Sequence, residues 1–336
     1  MLYQLIPKTE PVSRHKLQCN GARIIDAYSE DGDLVQIYRT PADAYYRGPA
    51  DARKQARQSL PARAPHRLIT HNPTIPNRRT HTMTAKTIAV AGNKGGIGKT
   101  TSVYYLGQDF VDRGLSVLVI DADGQANLTA AYGITEEHLD ARGDLSSLLE
   151  GTSKPLEPIF DAVGEPDMIA ADKRYLDDVA DEMATPSKIG WMFRLQSAIR
   201  TIGAEYDIIL IDCPPNLGVL TYTALIAADY VLVPSQAEAW SIDGLWRIVE
   251  KIDTMQADMG FSPQILGNIA TQVRIDTNQH KDGLARLRNA PRRIPHLGHI
   301  PLRNGVDARQ HLAAAYHVIA DEIAARISLP ACEVAR

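Results

Sequence analysis

The sequence predicts an α/β fold with a mostly parallel, doubly wound sheet covered by helices on both faces. Three observations lead there. Short runs rich in Val, Ile and Leu recur at 87–91, 116–121, 208–212, 230–234 and 265–269, the continuous apolar pattern of strands buried on both faces. Segments with helical apolar spacing lie between them, and strand–helix alternation over this length implies right-handed crossovers and a parallel sheet. Two of the runs end on aspartates, Asp121 and Asp212, and the C-terminal ends of parallel strands are where ligands bind.

The first run, 87–91, leads into Gly92-Asn93 and then Lys94-Gly95-Gly96-Ile97-Gly98-Lys99-Thr100-Thr101. Strand, glycine-rich loop and helix opening on Lys-Thr is the context of a phosphate-binding loop. Gly98, Lys99 and Thr100 fit the G-x-x-x-x-G-K-[ST] frame, whose first glycine falls here on Asn93. The glycines at 95 and 96 allow successive backbone N–H groups to turn inward on phosphate oxygens. Lys99 is placed to bridge β- and γ-phosphates, and the Thr100 hydroxyl to ligate Mg²⁺. The run 116–121 follows a helix closed by Arg113-Gly114 and continues into Asp121-Ala122-Asp123-Gly124-Gln125-Ala126-Asn127. The run 208–212 delivers Asp212, followed by Cys213-Pro214-Pro215-Asn216.

The loop KGGIGKTT carries a second lysine, Lys94, and with it the chain resembles the ParA/MinD family of deviant Walker A, P-loop ATPases. Asp-Cys-Pro-Pro at 212–215 resembles the ParA branch in particular, as does Pro-x-Gln-x-Glu at 234–238. The resemblance covers about residues 86–328. It implies a P-loop NTPase fold, ATP and Mg²⁺ as cofactors, and an ATP-sandwiched homodimer in which Lys94 reaches the phosphates held by the other subunit. It implies nucleotide contacts from Gly95, Gly96, Ile97, Gly98, Lys99, Thr100 and Thr101. By the same match Asp123 positions the attacking water, Asp121 supports the Mg²⁺ shell, and Asp212 holds Mg²⁺ through a water. Gly124 stands where the family usually has Pro, Ala126 where it usually has Gly, and Asn216 where it usually has Ser.

The remaining elements follow in order. A strand is expected at 168–171 and a helix at 187–203, with Met192, Leu195, Ile199 and Ile202 on one face. Helices at 217–228 and 242–259, a helix at 277–288, a short strand at 297–300 and a closing helix at 306–327 complete the domain.

With 336 residues, 44% of them hydrophobic, the chain has material for one sizeable core and a small appendage. No run of about 18 apolar residues is present to cross a bilayer. Cys19, Cys213 and Cys332 lie far apart with no CxxC pair, which excludes a sequence-local zinc or cluster site and suits a reducing cytoplasm. Charge is uneven: residues 1–82 hold 13 Lys/Arg against 7 Asp/Glu, and the rest holds 23 against 33. The expected domains are a basic, largely disordered extension at 1–82, an ATPase domain at 83–329 and a tail at 330–336. Within the extension a hairpin is expected, pairing 23–25 with 34–38. The extension reads as a nucleic-acid arm, as a solvated linker, or as upstream sequence preceding a natural start at Met83.

Residues 274–309 hold eight Lys/Arg against three Asp inside an otherwise acidic domain. Such a reversal is the electrostatic footprint of a polyanion, or else a solvated helix face. The candidate DNA contacts are Arg274, Lys281, Arg288, Arg292, Arg293 and Arg303. The resemblance implies non-specific DNA binding by the dimer, a ParB-like partner that stimulates hydrolysis, and a cytoplasmic, nucleoid-associated protein that partitions plasmid or chromosomal DNA or positions a protein cargo. A MinD-like membrane role would need a basic amphipathic C-terminal helix; the segment 327–333 is short, broken by Pro330 and not basic, so no membrane is expected.

Overall fold

The computed structural model describes residues 23–28, 34–39, 85–151, 164–238, 241–261, 263–289, 294–302 and 308–329. They fall into two units, Met1–Thr74 and Ile75–Arg336. In the first, β1 (Arg23–Tyr28) and β2 (Leu34–Arg39) pair antiparallel with Ile24 opposite Tyr38, the pairing of 23–25 with 34–38 expected from the sequence.

The second unit is a seven-stranded, wholly parallel sheet. Its strands are β3 (Lys86–Val90), β4 (Val117–Asp121), β5 (Asp167–Ile169), β6 (Ile208–Asp212), β7 (Tyr230–Gln236), β8 (Gln264–Val273) and β9 (His296–Pro301). Their order is β5-β4-β6-β3-β7-β8-β9. The order reverses at β3, so the loop after β3 opens at a switch point of the sheet.

Successive residues of each central strand feed opposite core layers. Ile88 and Val90 pack with Val103, Leu106 and Phe110 of α1 (Lys99–Asp112), and with Tyr316 and Ile319 of α10 (Ala308–Ile327). Ala89 and Ala91 face the other layer, as do Leu118, Ile120, Ile209 and Ile211. That layer is built by α4 (Leu145–Glu150), α5 (Leu176–Met183), α6 (Arg194–Ile202), α7 (Val219–Ala227), α8 (Ser241–Met259) and α9 (Asn278–Arg288). Every residue of β4 and β6 is buried; at about 25 cal/mol per Å² of apolar area removed from water, these strands anchor the domain.

Between β4 and β5 lie α2 (Asn127–Ala131), α3 (Glu136–Arg142) and α4. They are five to seven residues long, too short for apolar periodicity to announce them. The helix expected at 187–203 is a 3₁₀ turn, Ile189–Phe193, followed by α6. The Trp191 ring lies 4.5 Å from both the Lys188 ammonium and the Arg194 guanidinium. Side chains three residues apart eclipse in a 3₁₀ turn, so this basic–aromatic–basic stack favours the tighter winding. Strand β8 runs on to Val273 through polar Thr271 and Gln272, because Gln236 of β7 still pairs with Thr271.

Candidate active site

The loop after β3 wraps back over the sheet's C-terminal edge and starts α1. Gly98 caps the helix in a left-handed conformation, φ 86°, which a side chain would oppose by about 1–2 kcal/mol. Gly96 is left-handed as well, φ 73°. Gly92 leaves space for Ile97, whose Cδ1 would lie 2.3 Å from a Cβ at position 92. The first turn of α1 therefore presents its N–H groups to the loop's concavity, a ready anion site.

The loop is braced from β7 and β8. Thr271 Oγ1 donates to the Ile97 carbonyl at 2.8 Å, and Gln272 Nε2 to the Gly96 carbonyl at 2.7 Å. Gln272 is itself left-handed, φ 53°, and its Oε1 accepts from Gln236 Nε2 at 3.0 Å. Sequence reading assigned none of these three a role.

Lys99 is buried, and its ammonium donates to the Lys94 carbonyl at 3.1 Å. Burial pulls its pKa down, against the upward pull of Asp212, Cys213 and Asp123. Asp121 and Asp212 are strand neighbours in register and fully buried. Asp121 is committed to the chain: it accepts from Asp123 N at 3.1 Å, Thr129 N at 2.9 Å and Thr129 Oγ1 at 2.8 Å. Burial still raises its carboxyl to about 6. Asp212 is different. Neither of its buried oxygens has a hydrogen-bond partner among the described residues. Its pKa is pushed well up by burial and then by Asp121. The Thr100 hydroxyl draws it back somewhat, without closing a hydrogen bond of ordinary geometry. A buried, unpartnered carboxylate with a threonine hydroxyl beside it offers the oxygen ligands a hydrated Mg²⁺ takes, and the Lys99 cation beside them suits the phosphates, so these residues fit that ion.

Asp123 is 8% exposed and accepts from Gln125 N at 3.0 Å. Its turn is closed by Ala126 N donating to the Asp123 carbonyl at 2.8 Å. Ala126 takes φ 53°, so the alanine holds the left-handed conformation for which glycine is the natural residue, at a cost of about 1–2 kcal/mol. Cys213 is wholly buried and its thiol is pushed far up by burial, which suits packing.

Lys94 is exposed and lies on its own chain: its ammonium donates to Gln236 Oε1 at 3.1 Å and Glu238 Oε2 at 3.4 Å. The structure thus gathers residues 94–101, Asp121, Asp123 and Asp212 at one sheet edge, together with Gln236, Glu238, Thr271 and Gln272.

Of the candidate DNA contacts, Arg274 follows β8 and Lys281 and Arg288 lie on α9, all exposed. Arg292, Arg293 and Arg303 lie outside the described residues, as do most of residues 1–82, Met83 and the tail 330–336. Helix α9 is seated backbone to backbone on the strand-β7 exit: a Cβ on Gly283 would lie 2.2 Å from the Ala237 carbonyl oxygen. It is the buried face of α9, with Gly283, Leu284 and Leu287, that meets the segment holding Lys94, while Lys281 and Arg288 stay exposed. Among the described residues no helix is long and apolar enough to cross a membrane.

A family model described as an AAA domain matches residues 85–265. A chromosome partitioning protein ParA from Myxococcus xanthus is 33% identical over 188 residues, covering 53% of this chain and 61% of that protein. The match spans less than two thirds of that relative, while a chromosome partitioning protein ParA from Caulobacter vibrioides is 35% identical over 193 residues, covering 55% of this chain and 69% of that protein. Cobyrinic acid a,c-diamide synthase from Mycobacterium smegmatis, solved with a bound ATP analog and magnesium, superposes with TM-score 0.63 at 27% identity. It covers 74% of this chain and 98% of that one. A putative plasmid partition protein from Borrelia burgdorferi B31, bound to AMPPNP, gives TM-score 0.60 at 26% identity, over 73% and 100%.

Proposed function

The chain belongs to the ParA/MinD family of P-loop ATPases, and on that premise we propose that it is a ParA-type ATPase that partitions plasmid or chromosomal DNA. One observation carries the reading: the basic helix α9 is mounted on residues 237–238, directly beside the contacts of Lys94. A DNA-facing surface and a nucleotide loop then share one support.

ATP is the substrate of this reading, its phosphates lying in the 95–101 loop with Lys99 on the β- and γ-oxygens. Mg²⁺ would be held by Thr100 and, through water, by Asp212, and would neutralise charge on those phosphates. Asp121 contributes by fixing Thr129 and the Asp123 backbone. Asp123 orients the attacking water and accepts its proton. Lys94 leaves Glu238 when two subunits close face to face, and its ammonium meets the other subunit's phosphates. The closed dimer binds duplex DNA without sequence preference through Arg274, Lys281, Arg288 and the arginines at 292, 293 and 303. A ParB-like partner accelerates hydrolysis and releases it; an arginine added in trans is worth ~10³ to 10⁵ in related phosphoryl transfers.

The test is retention on two unrelated duplexes with a non-hydrolysable ATP analogue and with ADP. The analogue should be required, both duplexes should bind alike, and affinity should fall by ~10³ or more between about 50 and 200 mM salt. ATP-dependent sedimentation with anionic vesicles and no DNA retention at low salt would replace this reading with a membrane-acting one.

A further inference from the structure

Gly124, beside the water-positioning Asp123, has no need of glycine on backbone grounds. It is buried, and its φ is not positive, unlike that of Ala126 two residues on. The space a side chain would take there is filled by the end of another side chain. A Cβ on Gly124 would lie 2.0 Å from Asp177 Oδ1 and 2.5 Å from Asp177 Cγ. The Asp177 carboxylate therefore rests against the bare α-carbon of the residue next to Asp123.

Asp177 stands on a firm base. It sits in the first turn of α5, whose Leu176, Val179 and Met183 are buried in the core. The entry to α5 is locked by Asp172: its carbonyl accepts from Leu176 N at 2.9 Å, and its carboxylate accepts from Arg174 N at 2.8 Å. Arg174 also reaches Asp140 of α3 at 2.9 Å, across the far end of the segment that begins with Asp123. The loop is thus pinned from within by Asp121 and abutted from outside by Asp177.

We propose that Asp177 is a positioning residue for hydrolysis, its carboxylate acting as a stop that sets the Asp123 loop, and that Gly124 is glycine in order to admit it. This inference rests on the ATPase reading above. A displacement of about 1 Å at a reacting group can cost up to ~10² in rate, so a stop against the backbone next to Asp123 has leverage on turnover and little on nucleotide affinity.

The experiment is a double-mutant cycle on the full chain, reading kcat for ATP and, separately, the Kd of a non-hydrolysable analogue. Asp177→Ala and Gly124→Ala should each lower kcat by roughly tenfold or more within that limit, with Kd held near the parent's. The double variant should be no slower than the slower single, because a methyl at 124 already expels the carboxylate. Asp177→Asn keeps the shape and should keep the parental kcat. Parental turnover by Asp177→Ala, or losses that multiply in the double variant, would overturn the proposal. Asp177 is exposed, so its alanine variant tests the point even if Gly124→Ala does not fold. A parent that binds the analogue but never hydrolyses ATP removes the ATPase reading itself, and the stop with it.

Discussion

Replacing Asp212 by Asn should stabilise the nucleotide-free protein while removing most of the stabilisation that Mg-ATP confers. Asp212 is 0% exposed, both its oxygens lack a hydrogen-bond partner among the described residues, and Asp121 is its neighbour across the ladder. In the unfolded chain an aspartate is ionised above pH ~4. At pH 7 the folded chain must either keep that charge buried or take up a proton, and both cost stability. A buried polar atom without a partner costs about 1–3 kcal/mol, and more when charged. Asparagine removes the charge and leaves a polar amide, so a gain of about 2 kcal/mol is expected. For a domain of this size that is about 4–8 °C in Tm. In the parent, ligand at about 100 times Kd adds ~2.7 kcal/mol; with the Mg²⁺ carboxylate gone, that increment should shrink to what nucleotide gives without the metal. Thermal unfolding of both proteins, with and without analogue and Mg²⁺, reads both quantities. An Asp212→Asn variant that melts at or below the parent without nucleotide, or keeps the full Mg-nucleotide increment, would show that Asp212 is neither a buried liability nor a Mg²⁺ ligand.

Other consequences can be checked separately. His296 is pushed down to about 4 by burial, with Arg288 and His299 adding to it; its Nδ1 donates to Asn268 Oδ1 at 2.8 Å. Because the folded value lies below the ordinary ~6.5, the contribution is intact above pH ~6.5 and lost as pH falls toward 4. Allowing for the ring's partial exposure, about 1 kcal/mol should vanish between pH 7 and 5; urea midpoints should show this, and His296→Gln should flatten it. Lys94→Ala should bind analogue like the parent yet stay monomeric by light scattering, whereas Glu238→Gln, which loosens the contact within one chain, should dimerise at lower nucleotide concentration. An analogue-dependent dimer of normal affinity in Lys94→Ala would remove its role across the interface. Lys99→Ala should lose nucleotide binding outright, and calorimetry with ATP settles it.

Much of the site was legible because it is written contiguously. The 94–101 loop and the aspartates at 121, 123 and 212 sit where apolar runs end, and a buried parallel strand has no alternation to blur its boundaries. The braces were not legible, because they join distant segments: Gln272 meets Gly96 across 176 positions, and Glu238 meets Lys94 across 144. Gln236 and Glu238 stand out only as part of Pro-x-Gln-x-Glu, which does not say what they touch, and Thr271 and Gln272 only as polar residues where a strand would be expected to stop. Thr129 escaped notice for a similar reason, since its hydroxyl serves Asp121 from inside a five-residue helix. Gly124 could be noticed as a departure from the usual proline, but its reason, the Asp177 carboxylate, lies in a short helix that periodicity did not reveal.

The most direct test of the account is single-turnover release of phosphate from ATP bound with Mg²⁺, comparing the parent with Asp123→Ala after confirming equal ATP occupancy. Both proteins should hold ATP and only the parent should release phosphate, faster when the stimulating partner is present. Equal release by the two, or none by the parent under any condition in which it binds Mg-ATP, would contradict it.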